Sequence, residues 1–355
     1  MKDKKYLIVY RTIKNKIISG EYKAGQKLPS KRTEADRVGC SVVTIEKAYN
    51  MLIDEGYIIP RERSGYFVCE LDILPSATQN ITSAFSYLEE DNTPAKPQDF
   101  EYSVWFKTIR KVISEKGERL FIKSPNKGCE VLRNAIADYL LRYRGMVAQP
   151  ERIIIGSGSE QFYETVVKIL GRDKVYGIEN PSYKQIEAVY AGEGVKIKKL
   201  KMGNDGIESD QLSQSKIDVL HVTPFRSYPT GVTTSALKRY EYLKWAKKGR
   251  YIVEDDFNSE FFIPGQPIES LYSMDRGESV IYINTFSKSL SPSMRIGYMI
   301  LPEELMSVYD RKLGGFSCSV PVLDQHILAE FISSGNFERH LNRMRRKLKK
   351  FNGVK

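Results

Sequence analysis

Apolar residues recur at helical spacing near the start of the chain. Residues 6–18 place their apolar side chains on one face of a helix. Ser30 is a natural N-cap for a short helix over residues 31–38, and Ser41 begins a longer helix with its own apolar face. A helix, a glycine turn and a second helix at this spacing are typical of a helix-turn-helix.

Strand-like patterns follow those helices. Residues 57–59 and 65–68 are β-rich runs on either side of a polar turn, which predicts a hairpin, or wing. Farther along, short apolar runs alternate with helical patterns, which predicts an α/β domain with a doubly wound, mostly parallel sheet. The predicted strands of that sheet are residues 152–155, 175–178, 219–222, 251–253, 280–283 and 296–300.

A polar stretch separates the two patterns. Residues 71–97 are rich in Ser, Thr, Asn and Pro and have weak periodicity, which is typical of a linker between domains. We therefore predict a winged helix-turn-helix domain at residues 1–70, a linker at 71–97 and a large α/β domain at 98–355.

The net charge of the chain and its cysteines indicate which kind of partner and which cell compartment to expect. The net charge is +11, and residues 1–70 contain 14 Lys and Arg against 9 Asp and Glu, which leaves +5. A basic balance fits a polyanionic partner such as nucleic acid.

The four cysteines lack metal-ligand spacing, so we expect reduced thiols, a cytoplasmic protein and no metal site. We find neither a membrane-spanning apolar run nor a signal peptide.

The stretch of residues 280–300 carries the candidate chemistry. Lys288 sits in a small polar loop between Ser287 and Ser289, and Arg295 follows seven residues later. A lysine amine can form a Schiff base with an aldehyde cofactor, while hydroxyls and a guanidinium suit a phosphate. These are the groups that a pyridoxal phosphate (PLP) site needs. Judged alone, the loop leaves open the alternative of an ordinary surface Lys-Ser loop, because short motifs often match by chance.

Several segments of the chain, in both predicted domains, resemble a known family. The segment T-F-S-K-S-L-S-P-x-x-R-x-G resembles the cofactor-lysine segment of fold-type-I aminotransferases, and most of all the version in MocR/GabR-type regulators, a branch of the GntR transcription factors. The N-terminal segments I-I-S-G-E-Y-K-A-G-Q-K-L-P-S-K-R and V-G-C-S-V-V-T-I-E-K-A-Y-N-M-L-I-D-E-G-Y-I are similar to the GntR winged helix. The resemblance covers nearly the whole chain except the linker.

This resemblance implies that residues 41–52 form a recognition helix for the major groove of a double-stranded DNA operator. Family members often carry Arg directly after the serine that starts this helix, whereas this chain has Val42, so the operator sequence is not predicted. A winged helix used only for protein contact is the alternative. The implied DNA-binding residues are Arg32, Ser41, Val42, Val43, Thr44, Lys47, Arg61 and Arg63.

The same resemblance implies a phosphate site at the turn before a predicted helix over residues 162–170. Free N–H groups and the dipole at a helix start favour an anion there. Lys288 would carry PLP as a Schiff base. The implied residues at the turn and around the lysine are Ser157, Gly158, Ser159, Ser287, Lys288 and Arg295.

Three further side chains are implied to contact the pyridine ring. Tyr183 would stack on it and Tyr228 would contact its ring oxygen. Asp255 would bond the ring nitrogen, with Asp256 as the near alternative. Phe257 stands where the family has a tyrosine, so Tyr228 alone is left for the ring oxygen.

Together these assignments imply a PLP-dependent, DNA-binding transcriptional regulator whose effector is an amine, an amino acid or PLP itself. A homodimer is expected because paired recognition helices read two half-sites, and the family suggests a domain-swapped arrangement. The family's C-terminal small domain is expected to be missing from these 355 residues. Two alternatives stay open: an aminotransferase with a DNA-binding head, and a regulator with a degenerate, cofactor-free body.

Overall fold

The computed structural model describes residues 5–55, 57–61, 64–69, 100–247, 249–261 and 269–351. The chain divides into two compact units, residues 1–91 and 92–355. The predicted linker at residues 71–97 lies outside the described residues. The domain boundaries at residues 70 and 98 therefore stay predictions.

The first unit is a helix-turn-helix followed by a hairpin, as the sequence predicts. Ser30 Oγ accepts a hydrogen bond from the backbone N–H of Thr33, and Ser41 Oγ accepts one from that of Thr44, each at 3.2 Å. Both serines therefore cap their helices. The elements are α1 (Lys5–Ile18), α2 (Lys31–Val38), α3 (Val42–Asp54), β1 (Ile58–Arg61) and β2 (Gly65–Val68).

A small apolar core holds this first unit together. The Tyr49 hydroxyl donates a hydrogen bond of 2.9 Å to the Pro29 carbonyl, which ties α3 to the turn before α2. The two strands pair antiparallel, with Ile58 opposite Val68. The buried residues of α3 are Ile45, Ala48, Tyr49 and Leu52.

The second unit alternates strands and helices. Its strands are β3 (Ile153–Gly156), β4 (Val175–Asn180), β5 (Lys196–Lys201), β6 (Val219–Val222), β7 (Tyr251–Asp255), β8 (Val280–Thr285) and β9 (Gly297–Ile300). Its helices are α4 (Tyr102–Lys116), α5 (Glu130–Arg144), α6 (Ser159–Leu170), α7 (Lys184–Gly192), α8 (Ser209–Gln214), α9 (Ala236–Ala246), α10 (Leu271–Met274), α11 (Glu303–Leu313), α12 (Val322–Ser333) and α13 (Asn336–Phe351). Short 3-10 helices lie at Gly117–Phe121, Pro150–Arg152 and Ser259–Phe261.

Seven strands form one sheet in the order β3-β9-β8-β7-β6-β4-β5. The strands from β8 through β7, β6 and β4 to β5 are parallel to one another. β9 is antiparallel to both of its neighbours, so β3 and β8 point in the same direction. The carboxyl ends of six strands therefore meet at one edge, and the predicted mostly parallel sheet is confirmed.

Both faces of the sheet are buried, which explains the unbroken apolar runs in its strands. Within β8, Val280 and Tyr282 join one buried cluster, while Ile281 and Ile283 join the cluster on the other face. Side chains of successive strand residues point to opposite faces, so each strand contributes to both clusters. Helices cover each face in the doubly wound arrangement.

Four of these elements were not predicted from the sequence, namely helices α7, α8 and α10 and strand β5. The start of a fifth element, helix α6, was predicted too late. The strand reads K-I-K-K-L-K and lies at the edge of the sheet, where lysines are common because they discourage pairing with other chains. Helix α6 begins at Ser159 rather than at Phe162, so the predicted phosphate turn lies directly at a helix N-terminus.

The chain beyond the sheet is helical over α11, α12 and α13. Helices α12 and α13 are joined by a glycine turn at Gly335, and the His340 Nε2 of α13 lies 2.9 Å from the carbonyl oxygen of Ser289. That contact joins the tail to the loop that carries Lys288. In the parts of the chain described above, no helix combines the length and the apolar character needed to cross a membrane.

Candidate functional site

The predicted cofactor residues gather at the carboxyl edge of the sheet. Strand register aligns Gly156 of β3, Gly297 of β9 and Thr285 of β8 in one row. Asp255, the last residue of β7, pairs with Ile283 of β8, two residues before Thr285. Loops that follow β3, β8 and β7 therefore emerge side by side, and this edge is where open α/β sheets bind ligands.

The turn at residues 157–159 joins β3 to α6. The backbone N–H of Ser157 donates to Gln161 Oε1 at 2.6 Å, and its hydroxyl is 3.0 Å from the same atom. Gly158 has a φ of 100°, which favours glycine, and a Cβ at this position would collide with Nη2 of Arg295. The turn is therefore closely approached by a guanidinium and faces the N–H groups at the start of α6.

Arg295 reaches this turn from the loop before β9. Its Nη2 lies 2.7 Å from Oε2 of Glu160, in an ion pair between two half-exposed side chains. The Ser287 hydroxyl donates to the carbonyl of Met294 at 3.2 Å, which braces the loop between them. A phosphate at the turn would meet the Arg295 charge and would compete for it with Glu160.

Asp255 lies at the end of β7 and is 5% exposed. Its Oδ2 accepts a hydrogen bond from the Tyr163 hydroxyl, and His221 Nε2 is 3.8 Å from the same oxygen. Burial first, and then the neighbouring Asp255 charge, raise the pKa of Tyr163 well above its ordinary value. Tyr163 therefore stays protonated and donates a hydrogen bond to the carboxylate.

His221 is held from its other side by Tyr190. The Tyr190 hydroxyl lies 2.8 Å from His221 Nδ1, and all three side chains around Asp255 are buried. Within the part of the chain that the structure describes, His221 Nε2 is buried without a hydrogen-bond partner. His221 Nε2 therefore lies 3.8 Å from the Asp255 carboxylate, and both are at the carboxyl edge of the sheet.

Asp256 has different surroundings, which separates the two candidate aspartates. Its Oδ2 accepts from the Tyr282 hydroxyl at 2.6 Å and pairs with Arg144 Nη1 at 3.1 Å. Its Oδ1 accepts from the backbone N–H of Ser259 at 3.1 Å. Asp256 is fully buried and engaged by these groups. Asp255 is therefore the better placed of the two for a ligand.

Lys288 projects from the loop after β8. Its Nζ donates to Asn258 Oδ1 at 2.5 Å and lies 4.8 Å from the centre of the Phe257 ring. Asn258 Nδ2 in turn reaches the carbonyl of Arg226 at 3.4 Å. The phenylalanine that replaces the family's tyrosine thus contacts the lysine amine through its ring face.

Tyr183 and Tyr228 lie together on neighbouring loops. Their ring centres are 6.0 Å apart at an angle of 83°, an edge-to-face contact. Buried Glu179 joins the two loops, because its carboxylate accepts from the hydroxyls of Thr223 and Ser227. Burial raises the pKa of Glu179, and those hydrogen bonds oppose the rise. One face of this loop pair could therefore receive a flat aromatic ligand.

The candidate DNA-binding face belongs to α3 of the first unit. Val42, Val43 and Lys47 are exposed, whereas the Thr44 hydroxyl lies 2.9 Å from that of the capping residue Ser41. Arg32 on α2 is exposed as well, and the Arg61 guanidinium lies 4.5 Å from the Phe67 ring centre. Arg63 is outside the described residues.

Comparison with known proteins gives each unit a family. Residues 5–68 match the gntR family of bacterial regulatory proteins, and residues 92–351 match aminotransferase classes I and II. The uncharacterized HTH-type transcriptional regulator YdeL of Bacillus subtilis is 32% identical, over 97% of this chain and 77% of YdeL. The probable rhizopine catabolism regulatory protein MocR of Rhizobium meliloti is 28% identical, over 95% of this chain and 73% of MocR. The chain belongs to the MocR-type subfamily of GntR regulators.

A solved structure confirms the fold of the second unit of this MocR-type regulator. An α-aminoadipate aminotransferase of Thermus thermophilus, crystallised with N-(5'-phosphopyridoxyl)-L-leucine, is 28% identical with a TM-score of 0.63. The match covers 70% of this chain and 65% of that chain. The regulator therefore spans just under two thirds of the aminotransferase's length.

The sequence analysis of this MocR-type regulator missed Tyr163, His221, Asn258 and Glu179. His221 had a signal: it is a polar residue in the otherwise apolar strand V-L-H-V. Tyr163 falls on the apolar face of α6 and looks like an ordinary core residue. Its contact with Asp255 spans 92 positions of sequence, which no local pattern could indicate.

Proposed function

We propose that this MocR-type transcriptional regulator binds PLP as a Schiff base on Lys288. An amine, an amino acid or PLP itself is its effector, and the effector shifts the affinity for a DNA operator. Such control requires that the ligand bind two states of the protein with different affinity. The winged helix supplies the operator contact, and the aminotransferase-like unit supplies the sensor.

One observation carries the cofactor half of this proposal. Asp255, held by Tyr163 beside the orphaned Nε2 of His221, lies at the same sheet edge as Lys288 and the turn approached by Arg295. A primary amine, a buried carboxylate, a guanidinium and the N–H groups at a helix start fit the chemical groups of PLP.

Each of these residues has a defined task toward the cofactor. Asp255 would hold a proton at the ring nitrogen, because a carboxylate and a charged N–H form a strong hydrogen bond. Arg295 and the N–H groups of residues 157–159 would hold the phosphate. Tyr183 and Tyr228 would flank the ring and its oxygen. PLP, when bound, supplies an electron sink for chemistry on amines.

The DNA half of the proposal rests on the first unit. Its recognition helix α3 is expected to enter the major groove, with flanking contacts from α2 and the wing. A cytoplasmic homodimer is proposed, with domain swapping as the family arrangement, so that two helices read paired half-sites. The residues proposed to contact DNA are Arg32, Ser41, Val42, Val43, Thr44, Lys47, Arg61 and Arg63.

A second candidate is a working aminotransferase with a regulatory head. The likeness to the α-aminoadipate aminotransferase that holds a phosphopyridoxyl amino acid favours it. The two candidates differ in turnover, because a sensor needs to bind an amine whereas an enzyme must also release a keto acid. Steady keto-acid production from an amino donor would therefore favour the enzyme.

The visible absorption spectrum of the purified full chain tests cofactor binding. We expect added PLP to give a band that differs from free PLP and survives removal of unbound cofactor, because covalent attachment changes the chromophore. Amino donors should then alter the band without steady release of keto acid. A spectrum equal to the sum of protein and free PLP would refute the cofactor half and favour a cofactor-free regulator.

A further inference from the structure

Two valines stand in solvent at the start of the recognition helix. Val42 is 41% exposed and Val43 is 59% exposed, although the same helix buries Ile45 and Leu52 completely. These neighbouring side chains present aliphatic surface to any partner that binds this end of the helix. They lie at the end of α3 that the winged-helix arrangement directs toward base edges.

The polar groups next to the valines are already engaged within the protein. Ser41 Oγ accepts from the backbone N–H of Thr44, and the two hydroxyls are 2.9 Å apart. Glu46 is paired with Lys31 at 2.5 Å. The exposed side chains that remain at this end of α3 are therefore the apolar ones of Val42 and Val43. The exposed Lys47 follows one turn after Val43.

The charge around the valines indicates which partner covers them. Arg32, Lys47 and Arg61 are exposed in the same unit, and residues 1–70 carry a net charge of +5. This balance suits the phosphates of duplex DNA rather than an apolar protein groove. In the major groove, thymine alone presents a methyl group, and it is the base edge that an apolar side chain can contact.

We propose that Val42 and Val43 read thymine methyl groups, so that the operator half-site has A·T pairs where these side chains reach the bases. The inference rests on the proposed DNA binding by the first unit. A valine has no group that could form hydrogen bonds with a guanine edge, so Val42 offers only an apolar contact.

Uracil substitution tests this inference without altering the protein. The full chain is first used to select an operator from a random duplex library. Each thymine of the operator is then replaced singly by uracil, which keeps every base-pairing group and removes only the methyl. At one or two positions in each half-site we expect binding about 3- to 10-fold weaker at constant salt.

Valine-to-alanine variants show which side chain contacts each thymine methyl group. Val42→Ala or Val43→Ala should abolish the difference between thymine and uracil at the matching position, as expected for two groups in direct contact. Val38→Ala removes an exposed valine from α2 and should leave that difference intact. Sequence-specific binding that is equal for thymine and uracil at every position overturns the inference but leaves the proposed function standing. Failure of the wild-type chain to select any sequence overturns both.

Discussion

Replacing Lys288 with alanine should abolish covalent attachment of PLP. The amine lies at the carboxyl edge of the sheet, 2.5 Å from Asn258 Oδ1 and over the ring of Phe257. Borohydride reduces a lysine–cofactor linkage to a stable bond, so wild-type protein treated with PLP and borohydride should carry the cofactor on one peptide containing residue 288. Peptide mass spectrometry should find no labelled peptide in the Lys288→Ala variant.

The matched control is Lys201→Ala. Lys201 lies on edge strand β5 and pairs with Glu208 at 2.7 Å in an exposed position. Its removal should leave labelling at residue 288 unchanged, because β5 lies at the end of the sheet farther from β8. Label that persists in Lys288→Ala, or that spreads evenly over many lysines in wild type, would show that the lysine is wrongly assigned.

The second large effect concerns stability. Arg144→Ala should destabilise the second unit by about 3–5 kcal/mol, because it leaves the fully buried Asp256 without its ion-pair partner. Burial lowers the pKa of Arg144, but the Asp256 carboxylate more than offsets this, so the arginine stays charged. A loss of that size lowers the midpoint of thermal unfolding by about 6–20 °C in a unit of this length.

Tryptophan fluorescence reports the unfolding of the second unit alone, since both tryptophans of the chain, Trp105 and Trp245, lie within it. Arg142→Ala is the matched control on the same helix. Arg142 pairs with Glu338 at 3.2 Å but is half exposed, so its removal should cost about 0–1 kcal/mol. Equal effects of the two variants would mean that burial of the Arg144 pair contributes nothing measurable.

Much of the fold could be predicted from the sequence because helix-capping residues and apolar runs lie where the folded chain needs caps and buried strands. Ser30 and Ser41 were predicted as N-caps, and both accept the expected backbone hydrogen bond. The predicted strand at residues 219–222 matches β6, since its four residues are all buried on a parallel sheet. Strand β5 was missed because an edge strand with four lysines has no apolar run to detect.

The candidate cofactor site could be predicted less completely than the fold. The sequence left Asp255 and Asp256 as alternatives, and only the directions of the two side chains distinguish them. Asp255 meets Tyr163 and His221, whereas Asp256 meets Tyr282 and Arg144. The hydrogen-bonding partners that distinguish Asp255 from Asp256 come from distant helices and strands. The pattern of a single sequence does not show such long-range contacts.

The central claim is that a cofactor in one unit controls DNA binding by the other. Its most direct test is the dissociation constant for the selected operator, measured with and without PLP at fixed salt, in wild type and in Lys288→Ala. We expect PLP to change the wild-type constant by about 5- to 150-fold, the range of typical allosteric coupling, and to leave the variant's constant unchanged. An identical operator affinity of the wild-type chain with and without PLP would contradict it.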